Sequence, residues 1–153
     1  MKHLFLSTSF SGQVDAQTGQ VLPEFRKSIQ AILKSLREQP DVEVFCAMEH
    51  EGWKTSDELA DKGVRHDIEQ VDAADVLVAL MHDGISAGLQ FELGYAIAKG
   101  KRVILAMRHD WKLPYFNQGL VSGGYVTLVT YDTPANLATQ LPIAVNAPRA
   151  EAA

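Results

Sequence analysis

The sequence predicts a single α/β domain in which a parallel sheet lies between two helical layers. Three observations carry that expectation. Five short runs rich in Val, Leu and Ile alternate with segments whose apolar residues recur at helical spacing, the signature of strands joined by crossover helices. One of those runs, Asp75 to Met81, is almost wholly apolar, as expected of a central strand covered on both faces. The chain has 153 residues, 46% hydrophobic and 22% charged, which suits one globular domain with a sizeable core.

The elements follow in order. Lys2 to Ser7 reads as a first strand. Polar Ser7 to Gln13 cut its apolar stretch short, below the roughly 7–15 residues of a secretory leader. Ser7 to Gly19, rich in Ser, Thr and Gly, has no period of its own and reads as a loop. From Pro23 to Arg37, Phe25, Ile29, Ile32, Leu33 and Leu36 form one apolar helical face, and Pro40 ends that helix. Val42 to Ala47 alternates as a second strand. Thr55 with Glu58 resembles a capping box that opens a helix to about Ala73, interruptible at Gly63. After the strand Asp75 to Met81, a loop from His82 to Ala87 leads to a helix from about Gly88 to Lys99, closed by Gly100. Arg102 to Met107 and Gly124 to Tyr131 are strands four and five, and Pro134 to Leu141 is the last helix. The domain spans 1–145, and the small, polar tail 146–153 is expected to fray.

Such a chain is a flavodoxin/Rossmann-like three-layer sandwich with a five-stranded, mainly parallel sheet of order 2-1-3-4-5. Its ligand then binds beyond the carboxyl ends of strands one and three, where the strand order reverses. That places the loops Ser7 to Gly19 and His82 to Gly88 at the site.

Composition narrows the function. The longest apolar run, Val76 to Met81, is far shorter than the roughly 20 residues that span a membrane. The net charge is −5 without a Lys/Arg cluster, which argues against a nucleic-acid polymer as partner and leaves a small soluble molecule. The single cysteine, Cys46, makes no internal disulfide and fits a reducing cytoplasm. No Walker loop, no G-x-G-x-x-G after a strand and no G-x-S-x-G elbow is present. The five histidines lack i, i+4 pairing, so neither a metal nor a cofactor is expected.

What stands out is the segment from His82 to Ala96, which leaves the third strand at the ligand edge. Ser86 and Gly88 bracket a helix start, where free N–H groups and the helix dipole favour an anion. Glu92 follows about one turn in, flanked by Phe91 and Leu93 with Gly94 beside it. A carboxylate in an apolar pocket at that edge is a candidate nucleophile or base. Acidic residues are also common in first turns, where they complement the dipole from a solvated face. The pattern leaves both readings open.

The run Ala74 to Ala79, followed by Ser86-x-Gly88-x-x-x-Glu92-x-Gly94-Tyr95-Ala96-x-Ala98-x-Gly100-Lys101, resembles the nucleoside 2-deoxyribosyltransferase superfamily. The likeness extends upstream to His66-Asp67 and Asp75, to Phe5-Leu6 with Phe10, to Val14-Asp15-x-x-Thr18-Gly19 and to Glu51-x-Trp53. The last three sets are most similar to the branch of CMP/hydroxymethyl-CMP hydrolases and 2′-deoxynucleoside 5′-phosphate N-hydrolases. The resemblance covers about residues 4–107. It implies an N-glycosidase that releases a free base through a covalent ester between the sugar and Glu92, with Asp67 as second acid. Transferases that act on free nucleosides carry Asp six residues before the nucleophile. Ser86 stands there in this chain, and a neutral hydroxyl suits a 5′-phosphate. Relatives place an Arg where Ser11 stands, so the phosphate would rest on Ser86, Gly88 and neighbouring N–H groups, with Ser7, Ser9 or Ser11. Phe10 could stack on the base and Trp53 or Tyr95 could close the pocket, core or rim packing being the alternative for each, and Glu49 and Glu51 could accept from an exocyclic amine. The family builds its sites between subunits, which implies a homodimer or higher oligomer, with residues 110–124 as interface or lid. Base exchange by a 2′-deoxyribosyltransferase, and a non-catalytic nucleotide- or flavin-binding module, are the alternative readings.

Overall fold

The structure is a computed structural model of the chain, and it describes residues 1–9, 12–55, 60–82 and 86–149. The elements are β1 (Lys2–Thr8), α1 (Pro23–Arg37), β2 (Val42–Cys46), α2 (Ala47–His50), α3 (Ala60–Ala73), β3 (Val76–Leu80), α4 (Ala87–Ala98), β4 (Arg102–Arg108), α5 (Tyr115–Ser122), β5 (Thr127–Tyr131) and α6 (Pro134–Asn146). The sheet has the expected order β2-β1-β3-β4-β5, and all four pairings are parallel.

Alternation along the strands sorts side chains between two cores. Leu4 and Leu6 of β1 pack with Ile29, Ile32 and Leu33 of α1 and with Leu137 and Leu141 of α6. Phe5 faces the other way, into the layer that holds Val71 of α3 and Leu89, Leu93 and Ala96 of α4. The central strand β3 is buried from Val76 to Leu80, the consequence of helices on both faces.

Three elements depart from expectation, each for a readable reason. The short helix α2 follows β2 directly and stops at Gly52, whose φ of +73° carries the chain into the left-handed region. The Gly52 and Trp53 N–H groups donate to Glu49 O (3.0 Å) and Met48 O (2.8 Å), the paired bonds of a Schellman stop. Helix α5 escapes the periodicity test because its polarity is inverted. It buries Asn117 and leaves Tyr115 and Phe116 in the open, at 90% and 72% exposure. Gly124 was expected to open β5 but instead ends α5. Its φ is +74°, and N–H groups of Gly124 and Tyr125 donate back to Val121 O and Leu120 O.

The remaining described boundaries move by five residues or fewer. Gly63 does not interrupt α3, and α6 runs through Pro142 to Asn146 rather than stopping near Leu141. The tail stays attached as far as it is described: Arg102 donates to Ala147 O at 2.7 Å, and Arg149 to Gly100 O at 3.3 Å. The capping pair Thr55 and Glu58 cannot be followed, because Glu58 lies outside the described residues.

Candidate active site

Ser7 lies next to the end of β1 and shares the face of Phe5, two residues before it, so it points into the α3–α4 layer. On α4, Glu92 lies three residues after Leu89 and four before Ala96, on the stripe that those buried residues define. The two therefore meet. The Ser7 hydroxyl, itself buried, donates to Glu92 Oε2. The carboxyl group of Glu92 faces the sheet edge, not bulk water.

Asp67 arrives from α3 by the same logic. Gly63, Asp67 and Val71 are spaced four apart and line one face of that helix, with Val71 buried against the sheet. The Asp67 and Glu92 carboxyl groups are near enough for each to shift the protonation of the other. A third acid, Glu51, sits at the C-cap of α2. A Cβ on Gly63 would lie 3.0 Å from Glu51 Oε1, so the bare glycine lets that carboxylate sit slightly closer to α3 than a side chain would. Glu51, Gly63 and Asp67 line a cavity of about 280 Å³ together with His50, Lys62 and His66. The imidazoles of His50 and His66 stack there, with centroids 4.5 Å apart.

The electrostatics follow from crowding like charges in a half-buried place. Burial, above all, pushes Glu92 up to about 7; Asp67 and Glu51 add to this, against the Ser7 hydroxyl, which favours the anion. Asp67 is raised to about 6, chiefly by burial and next by the charge of Glu51. Burial raises Glu51 as well. Asp67 and Glu92 shift each other, so the two values belong to the pair, which holds one proton between about pH 6 and 7.

Ser86 is the N-cap of α4: its Oγ accepts from Leu89 N at 3.3 Å, which leaves the hydroxyl proton to donate elsewhere. Gly88, in the first turn, keeps the approach to the exposed N–H groups clear. Ser9 lies where β1 and β3 end. Its N–H donates to Leu80 O (3.3 Å), and its Oγ, 2% exposed, has no partner among the described residues. Phe10 and Ser11 lie outside the described residues, as do Asp83 to Ile85.

Two aromatic candidates are placed elsewhere. Trp53 is 6% exposed and belongs to the core on the α1 side, with the Arg26 guanidinium over its ring at 5.2 Å. The Schellman stop explains this, because the residue after Gly52 turns back toward Met48. Tyr95 lies one turn further from the mouth than Glu92. It donates to the Asp72 carboxylate (3.0 Å) and stacks on Phe91. Neither reaches the acids as placed. Glu49 is also committed elsewhere, to Arg37.

Gln90 and Glu92 are two residues apart, so they leave α4 in roughly opposite directions. Gln90 exchanges two side-chain hydrogen bonds with buried Asn117 of α5, at 3.2 and 3.3 Å. Beyond that contact lies a larger cavity of about 740 Å³, whose walls include Met81, His82, Met107, Trp111 and Lys112.

The family description "Nucleoside 2-deoxyribosyltransferase" matches residues 21–128. The chain belongs to that family. The match takes in Glu51, Asp67, Ser86 and Glu92, and it begins after the β1 edge that supplies Ser7 and Ser9. Solved structures agree on the fold. The CMP N-glycosidase BcmB of Clostridium botulinum superposes with a TM-score of 0.66 at 21% identity, over 92% of this chain and 98% of that one. The solution structure of BlsM gives 0.72 at 22% identity, over 97% and 96%. A conserved protein of Enterococcus faecalis V583 gives 0.59 at 16% identity, over 94% and 99%. No curated protein sequence matches the chain. Among the described residues, no helix is long and apolar enough to cross a membrane, and no group of three or more His, Cys, Asp or Glu could hold a metal ion. As a nucleoside 2-deoxyribosyltransferase-family chain, this is an enzyme-family fold that takes small nucleoside or nucleotide substrates.

Proposed function

We propose that the chain is an N-glycosidase that cleaves nucleoside 5′-monophosphates to free base and sugar phosphate, with Glu92 as nucleophile. One observation carries the reading: the Glu92 carboxyl is held at the ligand edge between a donor, Ser7, and a second acid, Asp67. A carboxylate so positioned does not need to reorganise before it attacks.

In the first step the proton of the pair, which rests mainly on Glu92, passes to Asp67, and Glu92, now ionised and steadied by Ser7, bonds to the anomeric carbon as the C1′–N bond breaks. The departing electron pair stays on the base, which takes the proton of Asp67. The oxocarbenium-like transition state is stabilised by the carboxylate beside it. In the second step water attacks the glycosyl ester and gives its proton to Asp67, and Glu92 leaves as carboxylate. The pair is regenerated with its one proton. The Ser86 hydroxyl, the Gly88 N–H and the unpartnered Ser9 Oγ would receive the 5′-phosphate at the start of α4. If a second base intercepted the ester in place of water, the outcome would be base exchange, the reaction of the family's name.

The open aromatic surface of Tyr115, Phe116 and Tyr125 on and after α5 supports a second copy of the chain as partner. A dimer in light scattering is expected, and a monomer at working concentration would remove that part. The lone buried Cys46 suits the cytoplasm. The function is tested by chromatography of a panel of ribo- and deoxyribonucleosides and their 5′-monophosphates, each with and without a second base. Base released from monophosphates alone supports the hydrolase, a new nucleoside points to transfer, and no turnover rejects both.

A further inference from the structure

We infer that Glu51 is a positioning residue of the reaction centre: seated against the bare Cα of Gly63, its carboxylate acts through space on the Asp67–Glu92 pair. The inference rests on the glycosidase reading for its consequence in catalysis, but not for the coupling itself. Three placements support it. The Schellman stop at Gly52 fixes Glu51 as the last residue before the chain turns away, with its side chain toward α3. A Cβ at Gly63, on that face of α3, would lie 3.0 Å from the Glu51 carboxylate. Asp67 follows one turn later on the same stripe and lines the same cavity. A glycine inside a helix costs about 1 kcal/mol relative to alanine, and here the missing side chain leaves the Glu51 carboxylate uncrowded.

The groups that face Glu51 are His50 from α2, Lys62, His66 and Asp67 from α3, and Glu92 from α4. A negative charge among them favours protonation of the two reacting acids, and both Asp67 and Glu92 are raised in part by Glu51. Three carboxylates this close do not all ionise at neutral pH. Glu51 thereby keeps one proton on the pair, which is the form that has both a nucleophile and an acid. A neutral residue at position 51 would let that proton leave at lower pH, moving the active window toward acid.

The experiment follows the carboxyl carbons of Asp67 and Glu92 by NMR titration of the resting protein, which needs no turnover. Glu51→Gln keeps the size and removes the charge; Gly63→Ala keeps the charge and displaces it. Glu51→Gln is expected to lower the pair's titration by half a unit to one unit, and Gly63→Ala to lower it in the same direction by less. For a substrate that turns over, kcat/KM above pH 7 should then fall roughly 3- to 10-fold and rise by a similar factor below pH 6, as the bell moves toward acid. A merely structural role would lower activity evenly across pH and leave the titration where it was. Unchanged titration in Glu51→Gln overturns the inference whatever the enzyme proves to do. Shifted titration in a wild type that cleaves nothing on the panel would sustain the coupling and overturn the glycosidase reading instead.

Discussion

The two ends of the sheet treat charge in opposite ways. At the end where the strands begin, the cations meet the carbonyl end of α6. Arg102 donates to Val145 O, Ala147 O and Ala144 O at 3.1, 2.7 and 2.7 Å, and Lys2 Nζ to Val145 O at 3.1 Å. Asp75 accepts from the backbone N–H of His3 at 2.8 Å. These hydrogen bonds join opposite polarities, so they stabilise the fold at that end. At the end where the strands finish, Glu51, Asp67 and Glu92 face one another, and two of the three shift each other's protonation. Like charges brought together under partial burial oppose folding and are retained where chemistry uses them.

The comparison breaks most sharply at Glu92. Glu92→Ala should lower turnover by three orders of magnitude or more, measured as base release, because it removes the bond-forming atom. Asp67→Asn should cost about 100-fold, since the leaving base loses its proton source. In wild type, kcat/KM should follow a bell with limbs near 6 and 7, the values of the pair. Below the bell both acids hold protons and no nucleophile exists; above it both are ionised and no acid remains.

Stability should respond with opposite signs at the two ends. Glu92 is raised above its unfolded value, so its contribution is fully present below about 4.5 and is lost as pH rises through about 7. Glu92→Gln should therefore melt higher than wild type at pH 8, on the order of 2 kcal/mol, and nearly level with it at pH 4.5. Arg102→Ala should melt lower at both, by roughly 2–3 kcal/mol, because it strips three carbonyls of a charged donor. The smallest expected effect is at Tyr95, whose hydroxyl is engaged with Asp72 outside the cluster of acids. Tyr95→Phe should leave KM within about twofold, since an exposed hydrogen bond of this kind contributes about 1 kcal/mol or less.

Much of this was legible in the residues. Periodicity and the apolar run of β3 fixed the layers and the strand order, and the order fixed the edge where Ser7, Ser86 and Glu92 gather. Alternation along β1 even implies which face Ser7 takes. Helix α5 was not legible, since a helix that buries Asn117 and exposes Tyr115 and Phe116 carries no apolar stripe. Between the two readings of Trp53, pocket closure and core packing, the sequence does not choose, because the turn geometry that sends it into the core is not written in the residue type. Glu51 was visible as part of Glu51-x-Trp53 and as an acceptor for the base, but not as a neighbour of Asp67. The signal that could have singled it out was a glycine four residues before Asp67 inside a continuous helix.

The central claim concerns one oxygen atom of Glu92. Its most direct test is to mix the protein with deoxycytidine 5′-monophosphate, quench in acid within the turnover time, and map the mass of each peptide. A deoxyribosyl-phosphate adduct on the peptide that carries Glu92, absent in Glu92→Ala, is the expected result. Steady release of base with Glu92 unmodified at every quench time would contradict the account.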